Sequence, residues 1–166
     1  MKGLTTSRHD LLVQIVAKFA RQAGLWVKVE PRDGSTKRPD VYIYSPTKMF
    51  AVDYSVTNPS AKSYRSAASV KALAAAETRE NRKISSYRGM QHGMILIPFV
   101  HETYGALGKL ATRFVKELAR MAQESPTYQG KGNQWRTIFL QAMSFALRAN
   151  AWILRMGSSR ANGGLI

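Results

Sequence analysis

The chain has no cysteine. That excludes a disulfide framework and any metal site built on thiolates. Acids are scarce: 10 Asp and Glu stand against 25 Lys and Arg, giving a formal net charge of +15. No apolar run reaches the roughly 18 residues of a membrane-spanning helix. The first residues, Met1-Lys2-Gly3-Leu4-Thr5-Thr6, lack the apolar stretch of a signal peptide. No segment sets a Lys/Arg face against a strong Trp/Phe/Leu face, as an interfacial helix requires. These absences argue against a membrane partner. They make an intracellular location the expectation, the nucleus in a eukaryote and the cytoplasm otherwise. His9, His92 and His101 lack His-x-x-x-His spacing and have no cysteine partners, so zinc is not expected. The Walker A pattern is also missing, which removes the usual signature of nucleotide hydrolysis.

What remains is a basic chain of 166 residues, long enough for one sizeable core. An excess of cations this large fits a polyanionic partner, nucleic acid first. Arg38, Arg65, Lys71, Arg79, Arg82 and Arg88 are the phosphate-contact candidates, with Lys131, Arg136 and Arg148 behind them. Together they predict binding that weakens steeply as salt rises.

Periodicity gives the elements. Ser7 opens a helix, with Asp10 three residues on as in a capping box. Leu11, Leu12, Ile15, Val16, Phe19 and Ala20 then recur at helical spacing, and Gly24 supplies a stop. Residues 25–30 read as a strand and 31–37 as a loop. Residues 41–44 and 50–57 form a hairpin with Ser45-Pro46-Thr47-Lys48 as its turn. Residues 61–87, rich in Ala, Lys, Arg and Glu, predict one long helix. A turn over 89–93 follows. The apolar run 94–100 predicts a strand buried on both faces. Helices are expected over about 104–123 and 134–156. The second carries a stripe of Trp135, Ile138, Phe139, Ala142, Phe145, Ala149, Trp152 and Ile153. The expected fold is α/β: a mixed four-stranded sheet in the order αβββαβ, flanked by helices, plus two C-terminal helices. One domain covers 1–156, with its core over 7–105, its C-terminal helices over 104–156 and a flexible tail over 157–166.

The scarce acids then become informative. Hairpin partners have numbers that sum to a constant. A sum of 94 sets Val41 against Asp53 and mixes apolar with charged side chains. A sum of 93 pairs Val41 with Val52 and Ile43 with Phe50, leaving Asp40 opposite Asp53 on the other face. A slip of one residue inverts every side chain, so the sorted register wins. It sets the two carboxylates roughly 5 Å apart, with Ser55 on the same face. Such a pair repels and calls for a cation between its members. Hard oxygen ligands suit Mg²⁺ or Mn²⁺, and Glu30 at the end of the preceding strand is a third candidate oxygen. The competing reading is that Asp40 caps the strand or pairs with Arg38. Glu102 is expected to tie down the helix that follows it. His9, beside a helix start, reads as a cap or surface group.

Pro39-Asp40 followed by Asp53-Tyr54-Ser55 resembles the motif of the PD-(D/E)XK nuclease superfamily, whose core runs helix, three strands, helix, strand. More specifically, the chain resembles nuclease-like segments at the C-terminal end of retrotransposon-type reverse transcriptase open reading frames. The pieces that carry this are Arg8-His9-Asp10, Val29-Glu30-Pro31-Arg32, Arg38-Pro39-Asp40, Asp53 to Pro59, Lys83 with Tyr87, and Pro98 to Gly105. The resemblance implies a restriction-endonuclease-like core and Mg²⁺- or Mn²⁺-dependent hydrolysis of DNA, linked to a mobile element. It implies Asp40 and Asp53, with Glu30, as metal ligands. The motif lysine is replaced here by Ser55; Lys83 from the following helix, on one helix face with Glu80 and Tyr87, is the candidate substitute, with Lys71 as runner-up, and the competing reading of Lys83 is a surface lysine paired with Glu80. The rival readings are a catalytically inactive nucleic-acid-binding domain of the same fold and an RNA-binding accessory protein. A nuclease this small needs a second copy to cut both strands at once, which makes a homodimer a natural partner.

Overall fold

A computed structural model of the chain describes residues 4–30, 38–88 and 93–161, with side chains over 6–30, 38–88 and 93–148. The elements are α1 (Leu4–Gln22), β1 (Trp26–Val29), β2 (Val41–Tyr44), β3 (Met49–Thr57), α2 (Arg65–Val70), α3 (Ala74–Ser86), β4 (Ile95–Glu102), α4 (Lys109–Glu124) and α5 (Gly132–Ala161). One sheet has the order β1-β2-β3-β4. Its first three strands are antiparallel and β4 joins β3 in parallel. The class is therefore α/β with a mixed four-stranded sheet, as the pattern of elements predicts.

The hairpin has the sorted register: Val41 faces Val52 and Ile43 faces Phe50. Ser45 and Lys48 close its turn through backbone and hydroxyl hydrogen bonds. One face of the sheet carries Val27, Val41, Ile43, Phe50, Val52, Tyr54 and Phe99 into a core shared with α1, α4 and α5. The opposite face near β3 and β4 is packed by α3. Gly24, at φ +81°, lets the chain leave α1 while the Leu25 N–H bonds Ala20 O at 3.2 Å.

Several expectations need correction. α1 starts at Leu4, so Ser7 lies inside its first turn and is not the residue that opens it. The expected long helix over 61–87 is two helices. Lys71 is extended and Leu73 is left-handed at φ 63°, which redirects the chain before α3. α2 buries no residue, whereas α3 buries Ala74, Ala75, Ala76 and Glu80. Packing of the second segment, not helix propensity, sets where the break falls. β4 is an edge strand whose first half is not buried on both faces, with Ile95 exposed. Its Pro98 suits an edge. On α5 the buried stripe is Trp135, Phe139, Met143, Ala146 and Leu147, while Ile138 and Phe145 are exposed. The side chains of Ala149, Trp152 and Ile153 lie outside the described residues, as do His92 and the 31–37 loop. α5 runs to Ala161, beyond the expected end at residue 156. Among the described residues no helix is long and apolar enough to cross a membrane.

Candidate active site

The hairpin ladder continues one pair beyond β2. The Asp40 N–H bonds Val52 O at 2.9 Å, which brings Asp40 alongside Asp53. The Asp40 charge pushes the Asp53 pKa up, so the two carboxylates are close enough to repel. Asp40 Oδ2 accepts the Tyr54 N–H at 2.8 Å, a bond that fixes the carboxylate to the strand it faces. Asp53 sits on β3 between two core residues, Val52 and Tyr54, and so points away from the core.

Two helices close on this pair. From α3, Lys83 brings Nζ to 2.5 Å from Asp53 Oδ2, and both side chains are nearly buried. Tyr87, one turn on, is also buried and lies against Asp53. From α1, His9 Nε2 stands 3.1 Å from Tyr54 O and 3.3 Å from Asp40 Oδ2. Both neighbours are acceptors, so Nε2 carries the proton and donates.

The environment splits the two acids. Burial disfavours the Asp40 carboxylate, but hydrogen bonds and charge from His9 and the Tyr54 N–H outweigh it, and its pKa lies below the ordinary value. Asp53 lies above it, because burial and the Asp40 charge outweigh the attraction of Lys83. Burial, reinforced by the Asp53 charge, also pushes the Tyr87 phenol up.

A cleft of about 280 Å³ opens beside Asp53. Its lining includes Arg8, His9, Asp53, Ser55, Arg79 and Lys83. Ser55 Oγ and Arg8 Nε are buried there without hydrogen-bond partners among the described residues. A cleft with three cations and two unsatisfied donors is chemically suited to a phosphate group.

The carboxylate pair fits a hard divalent cation, since Mg²⁺ is commonly held by one or two carboxylates plus phosphate and water. Glu30 does not join it in a larger cluster. Its carboxylate is paired with Lys28, and among the described residues no group of three His, Cys, Asp or Glu could hold a metal.

The remaining sequence candidates distribute as follows. Lys71 pairs instead with Glu77 at 2.5 Å. Arg79 lines the cleft. Arg65 bonds Ser60 O, and Arg82 lies 5.7 Å over the Tyr64 ring. Arg38 and Arg88 are exposed. Glu102 bonds the Ala76 N–H at 3.2 Å, so it ties down α3 behind it and not the helix that follows. His101 is buried between Tyr54 OH and Gly105 O, each at 3.0 Å, and is spent on structure. His9 is the residue sequence reasoning undervalued. The signal available was its place near the start of a helix whose apolar stripe must pack on the sheet.

The chain is similar to the retrotransposable element SLACS 132 kDa protein of Trypanosoma brucei gambiense, with 32% identity over 111 residues. The match covers 60% of this chain but only 9% of that protein, so the chain corresponds to a small part of its relative's length. No family model matches the chain.

Proposed function

We propose that the chain is a metal-dependent nuclease domain of the PD-(D/E)XK type, with a restriction-endonuclease-like core, that hydrolyses DNA phosphodiesters for a mobile element. The observation that carries this reading is the meeting of Lys83 with Asp53 beside Asp40. The motif lysine is missing from position 55, and a lysine from another element stands at the acid it would serve. The element order, the basic charge and the similarity to a retrotransposable element protein support it.

Asp40 and Asp53 would hold Mg²⁺ or Mn²⁺. When bound, such an ion polarises a phosphoryl oxygen and lowers the pKa of an attacking water. Lys83 orients that water and offsets charge that builds on the phosphorus centre. His9 keeps Asp40 ionised and aimed. Arg8 and Arg79 hold the phosphate at the mouth of the cleft.

A second reading is a nucleic-acid-binding domain without turnover. It is favoured by the ion pair itself, because Lys83 already neutralises Asp53. Incubating the protein with plasmid DNA in Mg²⁺, Mn²⁺ or EDTA, beside Asp53→Ala, separates the two. The nuclease reading expects cutting that needs metal and vanishes in the variant. Retarded but uncut DNA under every metal condition would leave the binding domain standing.

A further inference from the structure

The face of the sheet that carries Asp40 and Asp53 is not closed along its whole length. Its side chains form rows across the strands. Trp26 of β1 pairs with Tyr44 of β2, and Tyr44 with Met49 of β3. The next row is Lys28, Tyr42 and Ala51. Glu30 N–H to Asp40 O and Asp40 N–H to Val52 O then extend both ladders to a row of Glu30, Asp40 and Asp53. The first row is thus two rows from the carboxylates on the same face.

Trp26 is 62% exposed although β1 has a core to pack against, and its alternate neighbour Val27 is buried. The Trp26 and Tyr44 rings are 4.6 Å apart at 62°, so each holds the other upright on the sheet. Two cations lie in or beside the middle row: Lys28, directly opposite Tyr42 and paired with Glu30, and Arg38, whose charge reaches the Tyr42 phenol. Aromatic faces flanked by Lys and Arg are the chemistry that receives unpaired bases and their phosphates. A duplex keeps its base faces stacked inside and offers nothing to these rings. Four residues of strand separate Tyr44 from Asp40, about 13 Å, which a few stacked nucleotides at ~3.4 Å each would span.

We infer that the Trp26–Tyr44 pair is a stacking platform for single-stranded DNA leading into the Asp40–Asp53 site. The substrate is then DNA with an unpaired stretch next to the bond that is cut. This rests on the nuclease reading for the bond cut, but the platform itself is tested by binding alone.

The test is fluorescence anisotropy in EDTA, where no metal-dependent cutting occurs. The probes are a labelled single-stranded oligodeoxynucleotide, the blunt duplex of the same sequence and the RNA of that sequence. Trp26→Ala and Tyr44→Ala should each weaken single-strand binding roughly five- to a hundredfold. Trp26→Phe should lose much less, and the duplex affinity of all three variants should match wild type. Trp26 is largely exposed, so its replacement leaves the core intact; circular dichroism of each variant verifies this. Unchanged single-strand affinity in Trp26→Ala would overturn the inference. So would an equal loss on the duplex, or tighter binding of the RNA than of the DNA. Should the protein fail to cut any DNA while these binding losses hold, the nuclease reading falls and the platform stands.

Discussion

Lys83 of α3 and Asp53 of β3 form an ion pair, Nζ to Oδ2 at 2.5 Å, with both side chains nearly buried. The two are thirty residues apart in sequence, and neither belongs to the other's element. If Lys83 supplies charge in the transition state, Lys83→Met should cut DNA roughly 10²–10³-fold more slowly, as loss of a single oriented donor does elsewhere. DNA binding should persist. Lys48→Met removes a lysine paired instead with the distant Glu117, and its cleavage rate should equal wild type.

Asp53 is held above the ordinary carboxylate value by burial and by Asp40, against the pull of Lys83. Only its ionised form can hold a cation. In the metal-free protein Asp53 should therefore take up its proton at a higher pH than an ordinary aspartate. In Lys83→Met the opposing charge is gone and the pKa should climb further. Carbon-detected NMR titration of the Asp53 carboxyl measures both. A value below that of an unperturbed aspartate would refute the direction.

Asp40 behaves in the opposite sense. Burial alone would raise it, but His9 and the Tyr54 N–H hold it below its ordinary value. A depressed carboxylate adds stability that is present above its unfolded pKa and lost as pH falls through the lower folded one. His9→Ala should thus cost about 1.5–3 kcal/mol at neutral pH, the range for a hydrogen bond to a charged group. The gap to wild type should narrow as pH falls through the carboxylate range. Urea unfolding at several pH values reads this out.

Glu80 tests the frame around the site. It is buried, and its carboxylate accepts the Leu110 N–H at 2.9 Å, capping α4. Burial raises its pKa against those backbone donors. A Cβ on Gly108 would collide with that carboxylate. Gly108→Ala should destabilise by about 1–3 kcal/mol, as overpacking does. Glu80→Gln keeps an acceptor and should lose less than Glu80→Ala. Thermal unfolding distinguishes the three.

The hairpin was readable in advance because its apolar residues alternate, and only one register sorts them. That register alone brings Asp40 to Asp53. Lys83 was readable as a substitute because three residues, Glu80, Lys83 and Tyr87, share helical spacing. They diverge in the structure: Glu80 turns to α4, while Lys83 and Tyr87 turn to Asp53. The break at Leu73 was hidden, since Ala-rich sequence favours helix throughout and the break answers to packing of α3. On α5, residues 138 and 145 are as apolar as 139 and 143, so periodicity could not say which turn faced α1. The site role of His9 was hidden for a similar reason. It depends on how α1 crosses the sheet, a tertiary fact. Glu30 shared a row with the acids in the pattern, but its pairing with Lys28 on the same strand takes its carboxylate.

The claim that matters most is that Asp40 and Asp53 hold a divalent cation. Electron paramagnetic resonance of Mn²⁺, titrated with the protein and a DNA oligonucleotide, measures it without requiring turnover. Bound Mn²⁺ should appear in wild type, with affinity at least ~10-fold lower in Asp40→Asn and in Asp53→Asn, the order of loss expected when metal-site residues are changed. Wild type that binds no Mn²⁺ with DNA present, or variants that bind it equally well, would contradict the claim.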